Sequence, residues 1–79
     1  MLNKALIKAK EFLNDKSLRI LRYAETKNYY LFEYGTQEGK AVFDNTMIKV
    51  TKNNIASYYI ITEHFDELDK LEFKTIDAE

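Results

Sequence analysis

Seventy-nine residues, 46% of them hydrophobic and 14% aromatic, suffice for one domain with one compact core, and leave little room for an internal ligand cavity of roughly 300 Å³ or more. The absence of cysteine excludes a disulfide framework and any thiolate metal site; with no signal-peptide pattern in Met1-Leu2-Asn3-Lys4, it points to a cytoplasmic protein. The net charge of −1 conceals a change of sign along the chain, since residues 1–27 carry +4, residues 28–60 balance and residues 61–79 carry −5.

The chain opens with an amphipathic helix expected over residues 3–15. Leu2, Ala5, Leu6, Ala9, Phe12 and Leu13 follow the i, i+3, i+4 rule of one apolar stripe, and the lysines fall on other faces. Asn3 is placed to cap this helix, with Leu2 as a hydrophobic staple towards Ile7. At Leu18 the period changes to two. A first strand is expected from Leu18 to Glu25, and its Ile20-Leu21 pair breaks strict alternation, which fits either a bulge or a strand buried on both sides.

After the polar turn Thr26-Lys27-Asn28, a second strand runs from Tyr29 to Tyr34. Gly35-Thr36-Gln37-Glu38-Gly39 makes the clearest hairpin loop, because both glycines tolerate positive φ, and residues 40–43 return as a third strand. Beyond Asp44-Asn45-Thr46 a short strand from Met47 to Thr51 reaches Lys52-Asn53-Asn54, a reversal suited to asparagine in the left-handed region. The last clear strand, Ile55 to Thr62, is apolar on both faces at Tyr58-Tyr59-Ile60-Ile61, which suits an interior place or a covered edge. The uncharged run from Asn53 to Thr62 is too short to cross a bilayer.

Thr62 is placed to cap a short acidic helix, residues 63–71, with Phe65, Leu68 and Leu71 inward; Phe73 and Ile76 dock the tail. With no proline and only two glycines, the chain reads as continuous structure. The expected fold is α+β, one domain over residues 1–79, with the N-terminal helix packed on a four- to five-stranded antiparallel meander and a short acidic C-terminal helix.

Residues that carry chemistry are scarce. His64 is the one histidine, so a histidine metal site and a Cys-His dyad are excluded, and no nucleophile elbow, phosphate loop or dinucleotide fingerprint occurs. Glu63, Asp66, Glu67 and Asp69 lie too close along one short helix to enclose a cation and lack the glycine of a calcium loop. No catalytic residue, cofactor or metal is therefore assigned, and the chain reads as a non-enzymatic binding module.

Tyrosines alternating along a strand cannot all be buried on one side. Tyr29, Tyr58 and Tyr59 are the candidate partner anchors, with Glu63, Asp66, Glu67 and Asp69 steering a protein of basic surface. The competing use of these carboxylates is to neutralise Lys4, Lys8, Arg19 and Arg22 within the fold. Two further readings stand beside this one. The first is a single-stranded nucleic-acid domain using the strand tyrosines with Lys40, Lys49 and Lys52, a use that the negative net charge opposes. The second is a homodimer through the strand from Ser57 to Thr62.

The layout also resembles a family. A helix carrying Ala5, Ala9 and Leu13 precedes a hairpin rich in Tyr and Phe, then Met47-Ile48-Lys49-Val50-Thr51-Lys52-Asn53-Asn54-Ile55. This arrangement resembles the small bacterial immunity proteins of the YrhB-like (immunity protein 35) type and, more distantly, PepSY-like modules. The chain departs from them with Thr51 where the family has Asp and Asn54 where it has Gly. The resemblance implies a non-enzymatic protein that binds and neutralises a partner toxin.

Overall fold

The computed structural model describes residues 2–40 and 46–76. Helix α1 (Leu2–Leu13) is followed by strands β1 (Leu18–Glu25), β2 (Tyr29–Thr36), β3 (Thr46–Thr51) and β4 (Ala56–Ile60). A single 3₁₀ turn (Ile61–Glu63), the short helix α2 (Phe65–Leu68) and a two-residue strand β5 (Lys74–Thr75) complete the chain. The sheet is antiparallel throughout, in the order β4-β3-β2-β1-β5. The α+β architecture expected from periodicity is the one formed.

Several details differ from the sequence reading. Helix α1 already includes Leu2, so Asn3 lies inside the first turn and is not its cap. The Ile20-Leu21 irregularity is a bulge, the β1–β2 register shifting between Ile20 and Arg22. Lys40 is not in a strand, and the rest of the expected strand over residues 40–43 lies outside the described residues, as do Asp44 and Asn45 of the following turn. Strand β4 stops at Ile60 rather than Thr62. Helix α2 begins after His64, which makes no side-chain cap bond, so Thr62 does not cap it.

Each expected glycine role resolves separately. Gly39 takes φ +91° in the hairpin loop and Asn54 takes φ +67° in the β3–β4 turn, both in the left-handed region. Gly35 instead lies within β2 and is buried. A Cβ there would stand 2.6 Å from the Leu21 Cδ1 and nearer still to the Lys40 carbonyl oxygen. Gly35→Ala is expected to cost about 2–3 kcal/mol, the upper part of the overpacking range, because the nearest atom is a backbone carbonyl held by the Thr36 amide and not the end of a flexible side chain. Thermal unfolding of the variant measures this directly.

Alternation along the strands buries both faces of the sheet. One face carries Ile20, Tyr30, Phe32, Tyr34, Ile48 and Val50 and packs on Ala5 and Ala9 of α1. The two alanines are buried and let the helix backbone approach the strands. The other face carries Leu31, Met47 and Tyr59, covered by Ile61, Leu68, Leu71 and Phe73. The sheet thus lies between α1 and the C-terminal segment, where the sequence suggested helical cover on one face only. Strand β4 occupies an outer edge, and among the described residues no helix or strand is paired along its free side.

Candidate functional site

The C-terminal segment is fastened by one carboxylate. On the sheet face away from α1, Tyr29 of β2 and Tyr59 of β4 flank β3, and both direct their hydroxyls at Glu67 of α2. The Tyr29 hydroxyl donates to Glu67 Oε2 at 2.6 Å, and the Tyr59 hydroxyl donates to Glu67 Oε1. His64 stacks on the Tyr59 ring with centroids 4.3 Å apart, and its Nδ1 lies 2.8 Å from the Ile60 carbonyl oxygen. Lys49 stands over the Tyr29 ring, its Nζ 4.7 Å from the centroid. Three strand residues, Tyr29, Lys49 and Tyr59, therefore surround the Glu67 carboxylate from the sheet side, and His64 stands beside it on its own segment.

The electrostatics follow from those bonds. Hydrogen bonds from Tyr29 and then Tyr59 hold the Glu67 carboxyl below its ordinary range, because they favour its ionised form. Burial first, and the carboxylate second, raise both tyrosine hydroxyls. All three groups are kept in the protonation states that preserve the cluster at neutral pH.

The seven residues expected to face a partner are not one surface. Tyr59 is buried, at 5% exposure, and Tyr29 is half-buried; with Glu67 they form an internal cluster, which corrects their assignment as accessible anchors and steering charge. Tyr58 lies on the opposite face, at the sheet edge, 59% exposed, with its ring edge-on to that of Phe12 at 4.8 Å. Glu63, Asp66 and Asp69 are exposed and succeed one another at intervals of three along the outside of the segment. Position 67 carries the signal that separates it from them: it lies three residues after His64 and four before Leu71, on the side facing the sheet. Phe65, expected inward, is 57% exposed and stands beside Asp66 on the outer surface.

The outer carboxylates do not serve the basic half of the chain. Arg22 forms a two-pronged pair with Glu33 at 2.7 and 2.9 Å and lies over the Phe73 ring. Arg19 donates to the Gln37 carbonyl oxygen, and Lys52 pairs with Glu25. Among the described residues, Glu63, Asp66 and Asp69 form no ion pair. The sheet stands between them and Lys4 and Lys8 on α1. Opposite ends of the chain have become opposite faces of the molecule.

A stacking platform for bases would need open aromatic rings. Tyr30, Tyr34 and Tyr59 are buried, and the amines of Lys49 and Lys52 stand over the rings of Tyr29 and Tyr30. No charged side chain is fully buried among the described residues, and no three His, Cys, Asp or Glu side chains among them gather into a metal site. No helix among them is long and apolar enough to cross a membrane. Comparison of the chain with protein-family models, with curated proteins and with solved structures finds no match.

Proposed function

We propose that this domain is a non-enzymatic protein-binding module that receives a basic partner surface on the outer side of its C-terminal segment, as an immunity or inhibitor protein would receive the protein it neutralises. The observation that carries this reading is the row of exposed carboxylates, Glu63, Asp66 and Asp69, with no ion pair among the described residues. Exposed acids of one sign raise the rate at which a basic surface is captured. Phe65 adds an aromatic anchor at the centre of the row, the residue class on which interface energy concentrates. The Glu67 cluster keeps this segment ordered before a partner arrives, which reduces the entropic cost of association.

The test uses the protein retained by the immobilised domain from cells that make it, and measures association and dissociation rates separately. Combined Glu63→Gln, Asp66→Asn and Asp69→Asn substitution is expected to slow association by about tenfold at low salt, with the difference shrinking as salt rises. Phe65→Ala is expected to speed dissociation by about tenfold or more while association changes little. Unchanged rates in both variants would refute the docking surface. A fall of several degrees in the melting temperature of the triple variant would show that the charges serve the fold instead. Retention of an RNA or DNA oligomer in preference to protein would replace this reading with the nucleic-acid one.

A further inference from the structure

The register of the sheet fixes which way each β4 backbone group points. The Thr51 amide donates to the Ile55 carbonyl at 2.9 Å across the β3–β4 turn, and Lys49↔Ser57 and Met47↔Tyr59 continue the same pairing. In an antiparallel ladder, bonded and non-bonded pairs alternate. Ser57 and Tyr59 therefore bond to β3, whereas Ala56, Tyr58 and Ile60 direct their N–H and C=O groups to the open side of the sheet. The Ile60 carbonyl also meets the His64 ring.

The two edges of the sheet are guarded differently. Strand β5 has two residues, one of them Lys74, and so offers a short, charged edge of the kind that resists pairing. Strand β4 contains no charged residue, no proline and no bulge, and the uncharged run extends from Asn53 to Thr62. Its two ends differ in charge. At the start, Lys4 lines a groove with Tyr30, Lys52, Asn53 and Asn54, and supplies its positive charge because Lys52 is already paired with Glu25; just past the end stands the exposed Glu63.

We infer that the open β4 edge is a self-association site, taking β4 of a second copy in antiparallel register about a two-fold axis at Tyr58. Tyr58 then faces Tyr58 of the second copy, and Ala56 faces Ile60, so the outward amides and carbonyls of both strands meet. The antiparallel direction brings the basic start of each strand to the acidic end of the other, whereas a parallel one sets like charge against like. The exposed Tyr58 rings, each resting on its own Phe12, become a cross-strand aromatic pair. The axis stands perpendicular to the sheet, so the pair is a continuous ten-stranded sheet with both α2 segments on one side. This places two acidic rows on a single face and makes the surface proposed above bivalent, although the dimer stands independently of that use.

Sedimentation equilibrium and amide hydrogen exchange of the purified chain test the inference together. The mass is expected to rise from the 9.4 kDa of one chain towards twice that value between low micromolar and about millimolar protein. Over the same range, exchange of the Ala56, Tyr58 and Ile60 amides should slow by about tenfold or more, while Ser57 and Tyr59, already bonded to β3, remain protected throughout. Tyr58→Lys sets two like charges at the axis and should leave a folded monomer at every concentration; Ile7→Lys, on the outer side of α1, should dimerise like the parent. A parent chain that stays at monomer mass overturns the inference, as does a dimer in which the three amides exchange unchanged. If the Tyr58→Lys chain does not fold, the exchange pattern of the parent still decides. A folded Tyr58→Lys chain that dimerises like the parent refutes this register.

Discussion

Glu67→Ala is expected to lower the stability of the domain by roughly 2–3 kcal/mol, because it removes two hydrogen bonds to a carboxylate, each worth about 1.5–3 kcal/mol, and the Tyr59 hydroxyl recovers part of the loss by turning to the Tyr29 oxygen. For a domain of this size that corresponds to a fall of about 10–20 °C in melting temperature. The loss should be local in structure as well as global in stability. Amides of residues 61–76 should exchange faster in the variant than those of β1 to β3, because the Glu67 bonds join the C-terminal segment to the sheet. Glu67→Gln should recover part of the loss, since the amide oxygen still accepts from one tyrosine.

The same cluster sets a pH dependence with a definite sign. The native Glu67 carboxyl binds its proton less tightly than the ordinary glutamate value of 4.5. Its contribution is therefore complete above that unfolded value and is lost as pH falls through the lower native one. The tyrosines act in the other direction. Their hydroxyls titrate above the ordinary 10.0, so their contribution is complete below that value and is lost as pH rises beyond it. Urea midpoints of the parent should fall on both sides of a neutral plateau. Glu67→Gln should flatten the acid limb but not abolish it, because Asp15, bonded by Ser17, and Glu25, bonded by Lys52, also titrate low. An unaltered acid limb in that variant would show that Glu67 is not held by the tyrosines in solution.

Phe32→Ala should cost more, about 3–5 kcal/mol. Phe32 is the largest of the fully buried side chains. It sits on the central strand β2, opposite Tyr23 on one side and Ile48 on the other, and its ring lies 6.2 Å from that of Tyr30. The strands on both sides and α1 above leave little freedom to close the cavity. A domain of this length has a total stability of about 4–12 kcal/mol, so the variant should be largely unfolded by mild heating or low urea. Ile7→Ala, at a position 58% exposed, should change stability by no more than about 0.5 kcal/mol. Comparable losses in the two variants would contradict the placement of the core under α1.

Much of the fold is legible in local pattern. The stripe through Ala5 and Ala9 gives α1 and its buried side, and the change of period at Leu18 gives β1. The doubled Ile20-Leu21 marks the break in alternation that the register shift resolves as a bulge, and the Asn53-Asn54 pair gives a left-handed turn. What pattern misplaced lies at the C-terminal end. Phe65 reads as core because it shares a spacing of three with Leu68 and Leu71, yet successive steps of three drift around a helix by about 60° each, and Phe65 falls outside. Glu67 reads as one of four equivalent acids because charge alone does not say which side of a short helix meets a sheet. Strand β5 is too short to leave a periodic signal, and it exists through its pairing with Arg22 and Tyr23 of β1.

The sequence by itself determined the classes of residue available: enough apolar side chains for a domain, one histidine, no cysteine, and a basic first third against an acidic last quarter. Local periodicity also determined α1 and the strands of the meander, because hydrophobic spacing acts over a few neighbouring residues. Only the tertiary structure decided what those charges and tyrosines do. Packing α1 and α2 on opposite faces of the sheet keeps Lys4 and Lys8 away from Glu63, Asp66 and Asp69, and leaves the acids outward. It also draws Glu67 inward to two tyrosines 38 and 8 residues away and places the uncharged β4 at an open edge. These are long-range outcomes, set by which side chain the sheet brings opposite which, and no pattern within a single segment contains them.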